Sequence, residues 1–275
     1  MNPQVSIIIP TYNRLPLLKQ ALASVRTQDY TDYEVIVVDD GSTDGTAQWL
    51  EGQGVRLILL SHTGFPGLVR NRGAEAAGGG YLCFLDSDDL WRAGKLTRQV
   101  GFFARNPGCV ICHTREVWKR GCRIISQAGQ QHARTGYIFA DALKKCVIGP
   151  STVMMERAVF FDLGAFKENL EIAEDYELWL RLTAQYKVGY IDEPLVEKRA
   201  GHGGQLSEKY GHIELFRIWA LLLNICGGAF TEEQLRAACM ELEYKCRVFA
   251  YGCKKRGRYE EAVFYLEMAR QARAF

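Results

Sequence analysis

No apolar run in this chain is long enough to cross a bilayer. The amino terminus, Met1-Asn-Pro-Gln-Val-Ser-Ile-Ile-Ile-Pro10, has neither the basic flank nor the apolar stretch of a signal peptide, so it reads as a first strand of a cytoplasmic protein. An excess of either charge is also missing. Lys and Arg number 34 against 32 Asp and Glu, a net charge of +2, which gives no general argument for an acidic partner, and no nucleic acid is expected. No GxGxxG follows the first strand and no GxxxxGK[ST] occurs anywhere, which disfavours a dinucleotide enzyme or a P-loop ATPase. A second metal-ligand pair is absent as well. Cys109-Val-Ile-Cys112-His113 has the spacing of haem attachment and of half a zinc site, yet nothing at finger spacing completes it, and the segment reads as a strand. The nine cysteines scatter through apparent strands and helices, and without an export signal they read as reduced core thiols.

What is present is enough for a full core. At 275 residues and 48% hydrophobic content, the chain suits one large domain or one domain with a small appendage. Its most informative stretch is Tyr81-Leu-Cys-Phe-Leu-Asp-Ser-Asp-Asp-Leu-Trp91, an apolar run ending in three acids within four positions. The run reads as a strand buried on both faces, with acids past its carboxyl end, where open α/β sheets put their ligands. Acids so close repel one another unless a cation or a donor-rich ligand answers them. Asp86 and Asp88 would share a face of an extended segment, a seat for a divalent metal on phosphate oxygens. A solvated turn is the other reading, because turns favour these residues.

Upstream, Val5–Ile9 is a β-branched run that Pro10 should end. Leu15–Thr27 has helical spacing, and Tyr33–Val38 is a second strand running into Asp39-Asp40-Gly-Ser-Thr-Asp44, where Ser42 or Thr43 can cap a helix over Thr46–Leu50. A third strand, Val55–Leu60, and a helix within Gly64–Ala77 precede the acid-tipped strand. This alternation predicts a parallel sheet with helices on both faces, and Thr11, Tyr12, Asp39, Asp40, Asp86 and Asp88 gather after strand ends as in a nucleotide crevice. Further on come a helix from Lys95, a strand pair over 110–118 and 123–126, a polar loop over 127–135, a strand within 148–155, a helix opening on Glu174-Asp175, a last strand over 188–191 and a glycine-rich loop containing His202. From about Glu208 the pattern is helical, with an apolar Ile213–Cys226 interrupted by Glu214, Arg217 and Asn224, then a capping box at Thr231–Gln234.

The landmarks Ser6-Ile-Ile-Ile-Pro-Thr-Tyr-Asn-Arg14, Val37-Val-Asp-Asp-Gly-Ser-Thr-Asp44, Arg70-Asn-Arg-Gly73, Phe84-Leu-Asp-Ser-Asp-Asp-Leu-Trp91 and Glu174-Asp-Tyr-Glu-Leu-Trp179 stand in the order of a known family. Over residues 4 to 205 the chain resembles a family 2 glycosyltransferase of the GT-A fold, inverting and nucleotide-sugar dependent. The resemblance implies an α/β, Rossmann-like, mostly parallel central sheet flanked by helices over 1–207, and it leaves 208–275 as a C-terminal helical appendage. It places Pro10, Thr11 and Tyr12 around a nucleotide base, Asp39 or Asp40 as acceptor for a uracil N3–H, and Arg14 and Arg70 among the nucleotide-binding positions, Arg70 on the diphosphate. Asp86 would lie near the ribose and the metal, and Asp88 would ligate Mn²⁺ or Mg²⁺ directly. His202 would join the metal or stand as an ordinary loop histidine. Asp175 would be the catalytic base, with simple capping of its helix as the bland alternative. Glu174 and Trp179 would meet the acceptor, although Trp179 shares its helix with Leu178 and Leu182 and reads equally as core. Asp89 reads as a structural acid starting the next helix.

The implied partners are a UDP-sugar and a saccharide or lipid-linked saccharide acceptor of surface polysaccharide synthesis. Two other readings stay open: a sugar-nucleotide pyrophosphorylase, although Pro10-Thr-Tyr-Asn13 stands where its glycine-rich loop belongs, and a silent transferase body acting through its tail. The tail itself suggests packing on the catalytic body, a homo-oligomer contact, or attachment at the inner face of a membrane aided by Lys254-Lys-Arg256.

Overall fold

The computed structural model describes residues 4–126, 134–201 and 213–273. In chain order the strands are β1 (Val5–Thr11), β2 (Tyr33–Asp39), β3 (Arg56–Leu59), β4 (Tyr81–Phe84), β5 (Leu90–Trp91), β6 (Ile111–Arg120), β7 (Arg123–Ile125), β8 (Val153–Glu156) and β9 (Gly189–Arg199). The helices are α1 (Leu15–Arg26), α2 (Thr46–Leu50), α3 (Pro66–Ala76), α4 (Lys95–Arg105), α5 (Phe139–Lys144), α6 (Arg157–Asp162), α7 (Glu174–Gln185), α8 (Ile213–Cys226), α9 (Glu232–Lys255) and α10 (Tyr259–Ala272).

Among the described residues the nine strands form one sheet, ordered β3-β2-β1-β4-β8-β6-β9-β5, with β7 paired to β6. The first four strands run parallel, and the order reverses between β1 and β4, so the loops leaving these two strands part and open a crevice. Beyond β4 the sheet is mixed: β8 is antiparallel to β4 and β6, while β9 runs parallel to β6. Alternation along β1 builds the two faces. Ile7 and Ile9 pack with Leu18, Leu22 and Leu96, and Ile8 packs on the other side with Val69, Ala74 and Leu178.

Three local expectations are corrected. Strand β1 runs through Pro10 to Thr11. Leu85 donates to the Ile8 carbonyl where β4 ends, so the donor that Pro10 lacks lies on the side where the ladder has already stopped. Helix α2 is capped by Gly45 in a left-handed conformation (φ 84°), with Asp44 accepting from Thr46, while Ser42 is drawn to Asp39. Asp89 precedes the short strand β5 rather than a helix, and its carboxylate accepts from Ser151.

The carboxyl-terminal helices dock on the body. Ile218, Ala220, Leu221 and Ile225 of α8 share a core with Leu178 and Leu182 of α7, and Asn224 donates to the Glu177 carbonyl at 3.3 Å. Helix α9 opens with the expected Thr231–Gln234 capping box, and the Gln234 amide reaches the Ala184 carbonyl at 2.7 Å. The proposed boundary at 207/208 lies outside the described residues. No helix among them is long and apolar enough to cross a membrane.

Candidate active site

The loops after β1 and β2 are tied to each other by their own short polar side chains. Asn13 takes a left-handed turn (φ 49°), its amide donates to Ser42 Oγ at 2.8 Å, and its side-chain carbonyl accepts from the Thr43 amide at 2.7 Å. The Asp39 carboxylate accepts from the Ser42 amide at 3.1 Å. Asp40 holds the following loop instead: Oδ1 accepts from the Thr63 amide and hydroxyl, each at 2.9 Å, and Oδ2 accepts from the Gly64 amide at 3.0 Å. His62 thereby stacks on Tyr12, with ring centroids 3.8 Å apart and planes at 12°. Pro10, Thr11, Tyr12, Asp40 and His62 line one end of a cavity of about 490 Å³, whereas Asp39 does not reach it.

Past β4, Asp86, Asp88 and Asp89 each offer a carboxylate oxygen within 4.8 Å of the others. Each acid has its own support. Arg14 reaches Asp88 Oδ2 at 3.0 Å, Arg70 reaches Asp86 Oδ1 at 2.6 Å, and Ser151 Oγ donates to Asp89 Oδ2 at 2.6 Å while accepting the Asp86 amide at 3.1 Å. Lys198 Nζ lies 3.9 Å from Asp89. Burial alone would push Asp86 up, but Arg70, Lys198 and Arg14 outweigh it and hold Asp86 below the usual carboxylate range. Burial dominates at Asp89, which is pushed up to about 8 against the pull of Lys198. Three hard oxygen donors this close fit Mg²⁺ or Mn²⁺. Thr11 Oγ1 and Arg70 Nε are buried without a hydrogen-bond partner among the described residues, in two residues that line this cavity.

Across the cavity, Ala173 in a left-handed conformation (φ 68°) turns the chain into α7 and puts Glu174 and Asp175 in its first turn. Glu174 is buried and ion-paired with Arg70. Burial drives Glu174 up to about 7 even so, because Arg70 is shared with Asp86 and because Asp175 adds a like charge. Asp175 accepts from Cys146 Sγ at 3.4 Å and lines both this cavity and a second one of about 190 Å³.

Of the predicted positions, Pro10, Thr11, Tyr12, Arg14, Asp40, Arg70, Asp86, Asp88, Glu174 and Asp175 therefore meet in one cavity. Trp179 does not: it is 1% exposed and packs edge-on against Phe166, because its side of α7 faces the core. His202 lies outside the described residues. Sequence reasoning passed over His62, Cys146, Lys198 and Arg217, all of which line the cavity. For Arg217 a signal was available, since a charge interrupting an otherwise apolar helix needs a polar destination.

Known proteins carry the same plan. The family model described as "Glycosyl transferase family 2" matches residues 6–164, and the chain belongs to that family. The chain is 31% identical over 219 residues to TuaG of Bacillus subtilis (strain 168), a glycosyltransferase provisionally assigned to teichuronic acid biosynthesis; 76% of this chain and 83% of that relative are covered. It is 31% identical over 245 residues to WfgD of Escherichia coli, the UDP-Glc:alpha-D-GlcNAc-diphosphoundecaprenol beta-1,3-glucosyltransferase, covering 87% of this chain and 91% of the relative. The chain spans only 37% of a longer, uncharacterized Rickettsia felis glycosyltransferase. Among solved structures, S. aureus TarS 1-349 in complex with UDP-GlcNAc superposes with a TM-score of 0.67 at 18% identity over 98% of this chain and 92% of that one. The mannosyltransferase PcManGT of Pyrobaculum calidifontis, in complex with GDP-Man and Mn²⁺, gives 0.63 at 19% identity over 100% and 75%. The chain is thus a glycosyltransferase of the GT-A fold.

Proposed function

We propose that this glycosyltransferase moves a sugar from a UDP-sugar to a hydroxyl of a saccharide or lipid-linked saccharide, with inversion at the anomeric carbon and dependence on Mn²⁺ or Mg²⁺. The observation that carries the reading is one cavity with Tyr12, His62 and Asp40 at one end, the Asp86–Asp88–Asp89 cluster beside Arg70, and Asp175 opposite. The stacked Tyr12–His62 pair offers an aromatic face to a base, and Asp40, which unlike Asp39 lines the cavity, takes the role of acceptor for uracil N3–H. Asp86 and Asp88 hold the metal in this reading, and a bound divalent cation supplies Lewis-acid stabilisation to the departing diphosphate. Arg70 aids the same charge. Asp175 takes the proton of the acceptor hydroxyl as that oxygen attacks. TarS with UDP-GlcNAc supports the choice of UDP, and the WfgD description supports a lipid-linked acceptor in surface polysaccharide synthesis.

The row Met240, Tyr244, Val248 and Tyr251, exposed along α9, supports a contact of the carboxyl-terminal helices with a membrane surface or a second copy of the chain. The whole reading is tested with a panel of nucleotide sugars and saccharide acceptors with Mn²⁺ or Mg²⁺, scoring release of free nucleotide. Metal-dependent release from a UDP-sugar is expected. UDP-sugar binding with no release to any acceptor or to water would favour a silent binding protein instead.

A further inference from the structure

The second cavity shares Cys146, Asp175, Lys198, Arg217 and Trp118 with the larger one, but not Arg70 or the three-acid cluster. Its charged wall is made of Arg134, Lys198 and Arg217 against Glu116 and Asp175. Lys198 already answers Asp89 at 3.9 Å. The two arginines are less committed. Arg134 stacks on Tyr190, 5.6 Å from the ring centroid, and has no carboxylate partner among the described residues. Arg217 pairs with Glu214, which also serves Lys245 at 3.2 Å, and the buried Nε of Arg217 has no hydrogen-bond partner among the described residues. Each guanidinium carries five N–H donors, more than these contacts use, so both arginines keep donors for a ligand in the cavity. Two planar guanidinium forks that line one cavity with Asp175 suit the several oxygens of a tetrahedral phosphate.

We propose that this cavity binds a phosphate carried by the acceptor, with Arg134 and Arg217 recognising its oxygens. The inference rests on the reading of Asp175 as the group that meets the acceptor hydroxyl. In a glycosyl phosphate the phosphorus and any ring hydroxyl are about one sugar ring apart. A base for the hydroxyl and cations for the phosphate must then share one small cavity, as Asp175, Arg134 and Arg217 do. Arg217 comes from α8, beyond residues 6–164, so acceptor choice would be set in part by a helix outside the family-matched region. The phosphate could belong to a free sugar phosphate or to a prenyl-linked saccharide.

The test titrates inorganic phosphate, phenyl phosphate and farnesyl monophosphate into the full chain with the donor site filled by UDP and Mg²⁺. Phosphate binding is expected, weakened about tenfold by Arg134→Ala and by Arg217→Ala, with Arg217→Lys intermediate and the remote Arg98→Ala unchanged. Tighter binding of farnesyl than of phenyl phosphate points to a lipid-linked source, and equal binding to a free sugar phosphate. Circular dichroism checks that each variant is folded, and Arg134, on the cavity rim, gives a second variant if Arg217→Ala does not fold. UDP binding without phosphate binding, or phosphate affinity equal in all variants, overturns the inference alone. Absence of UDP binding would sink the transferase reading and the inference with it.

Discussion

Arg70 and Glu174, 104 residues apart in sequence, form a buried ion pair that ties α3 to the first turn of α7. The same guanidinium reaches Asp86 at 2.6 Å, so one side chain fixes the acid tip of β4 against the helix that presents Asp175. The geometry of the cavity depends on this strut before any ligand arrives. Buried charges of this kind are costly to uncouple, since removing one partner strands the others in a region of low dielectric.

Replacing Arg70 should therefore damage both fold and site. Arg70→Ala leaves Asp86 and Glu174 without their shared cation and is expected to lose about 3–5 kcal/mol of stability in urea unfolding. Arg70→Lys keeps the charge but not the two-armed fork, and should fall between. An Arg70→Ala protein as stable as the parent would show that the pair does not brace the crevice.

Glu174 gives a pH signature. Burial raises it to about 7 from an ordinary value of 4.5, against the opposing pull of Arg70. The folded chain then binds more protons than the unfolded chain between those values, so stability should fall as pH rises from about 4.5 to about 7. Glu174→Gln removes the titration and should flatten that part of the curve. Denaturation midpoints across pH 4.5 to 8 for parent and variant check this, and parallel curves would mean that Glu174 stays ionised in its pair.

The elements around the crevice were legible in sequence because they are local. Tyr81–Phe84 is an apolar run that ends in acids, and Thr231–Gln234 is a cap defined within four residues. What failed depended on neighbours distant in sequence. Pro10 is tolerated in β1 because β4 has stopped pairing beside it, a fact of register between strands more than seventy residues apart. Trp179 read equally as an acceptor contact and as core, and only the packing of α7 against Phe166 shows that it is buried. Arg217 was visible as a charge in an apolar helix, yet its destination required knowing that α8 docks against α7.

Gly73 belongs to the Arg70–Gly73 landmark, and its role is packing. A methyl group there would come 2.5 Å from Ile8 Cγ2 and 3.1 Å from Val38 Cγ2, both on stiff, fully buried β-branched side chains. Helix α3 can approach the sheet only because this position has no side chain. Gly73→Ala should cost about 1–3 kcal/mol, since neighbouring strands cannot give way independently. A thermal melt decides it, and a midpoint equal to the parent's would mean that α3 shifts freely.

Asp88 and Asp175 face one cavity with different partners, and their variants should separate two functions. Asp88 sits in the three-acid cluster with Arg14 at 3.0 Å, so Asp88→Ala removes a metal-facing oxygen and leaves Arg14 with less to bind. Metal-dependent UDP affinity should drop at least tenfold, and transfer with it. Asp175 lies outside that cluster, where its carboxylate meets Cys146 Sγ and the smaller cavity. Asp175→Asn keeps shape and polarity but cannot accept a proton, so UDP affinity should stay within about twofold of the parent. Transfer should fall by about 10²–10⁴, the range that a positioned general base supplies. Calorimetric titration of UDP with Mn²⁺, run beside a transfer assay, gives both readings on the same samples. If Asp175→Asn transfers sugar at the parent rate, the proton goes elsewhere and Glu174, the other carboxylate of that turn, becomes the group to replace next.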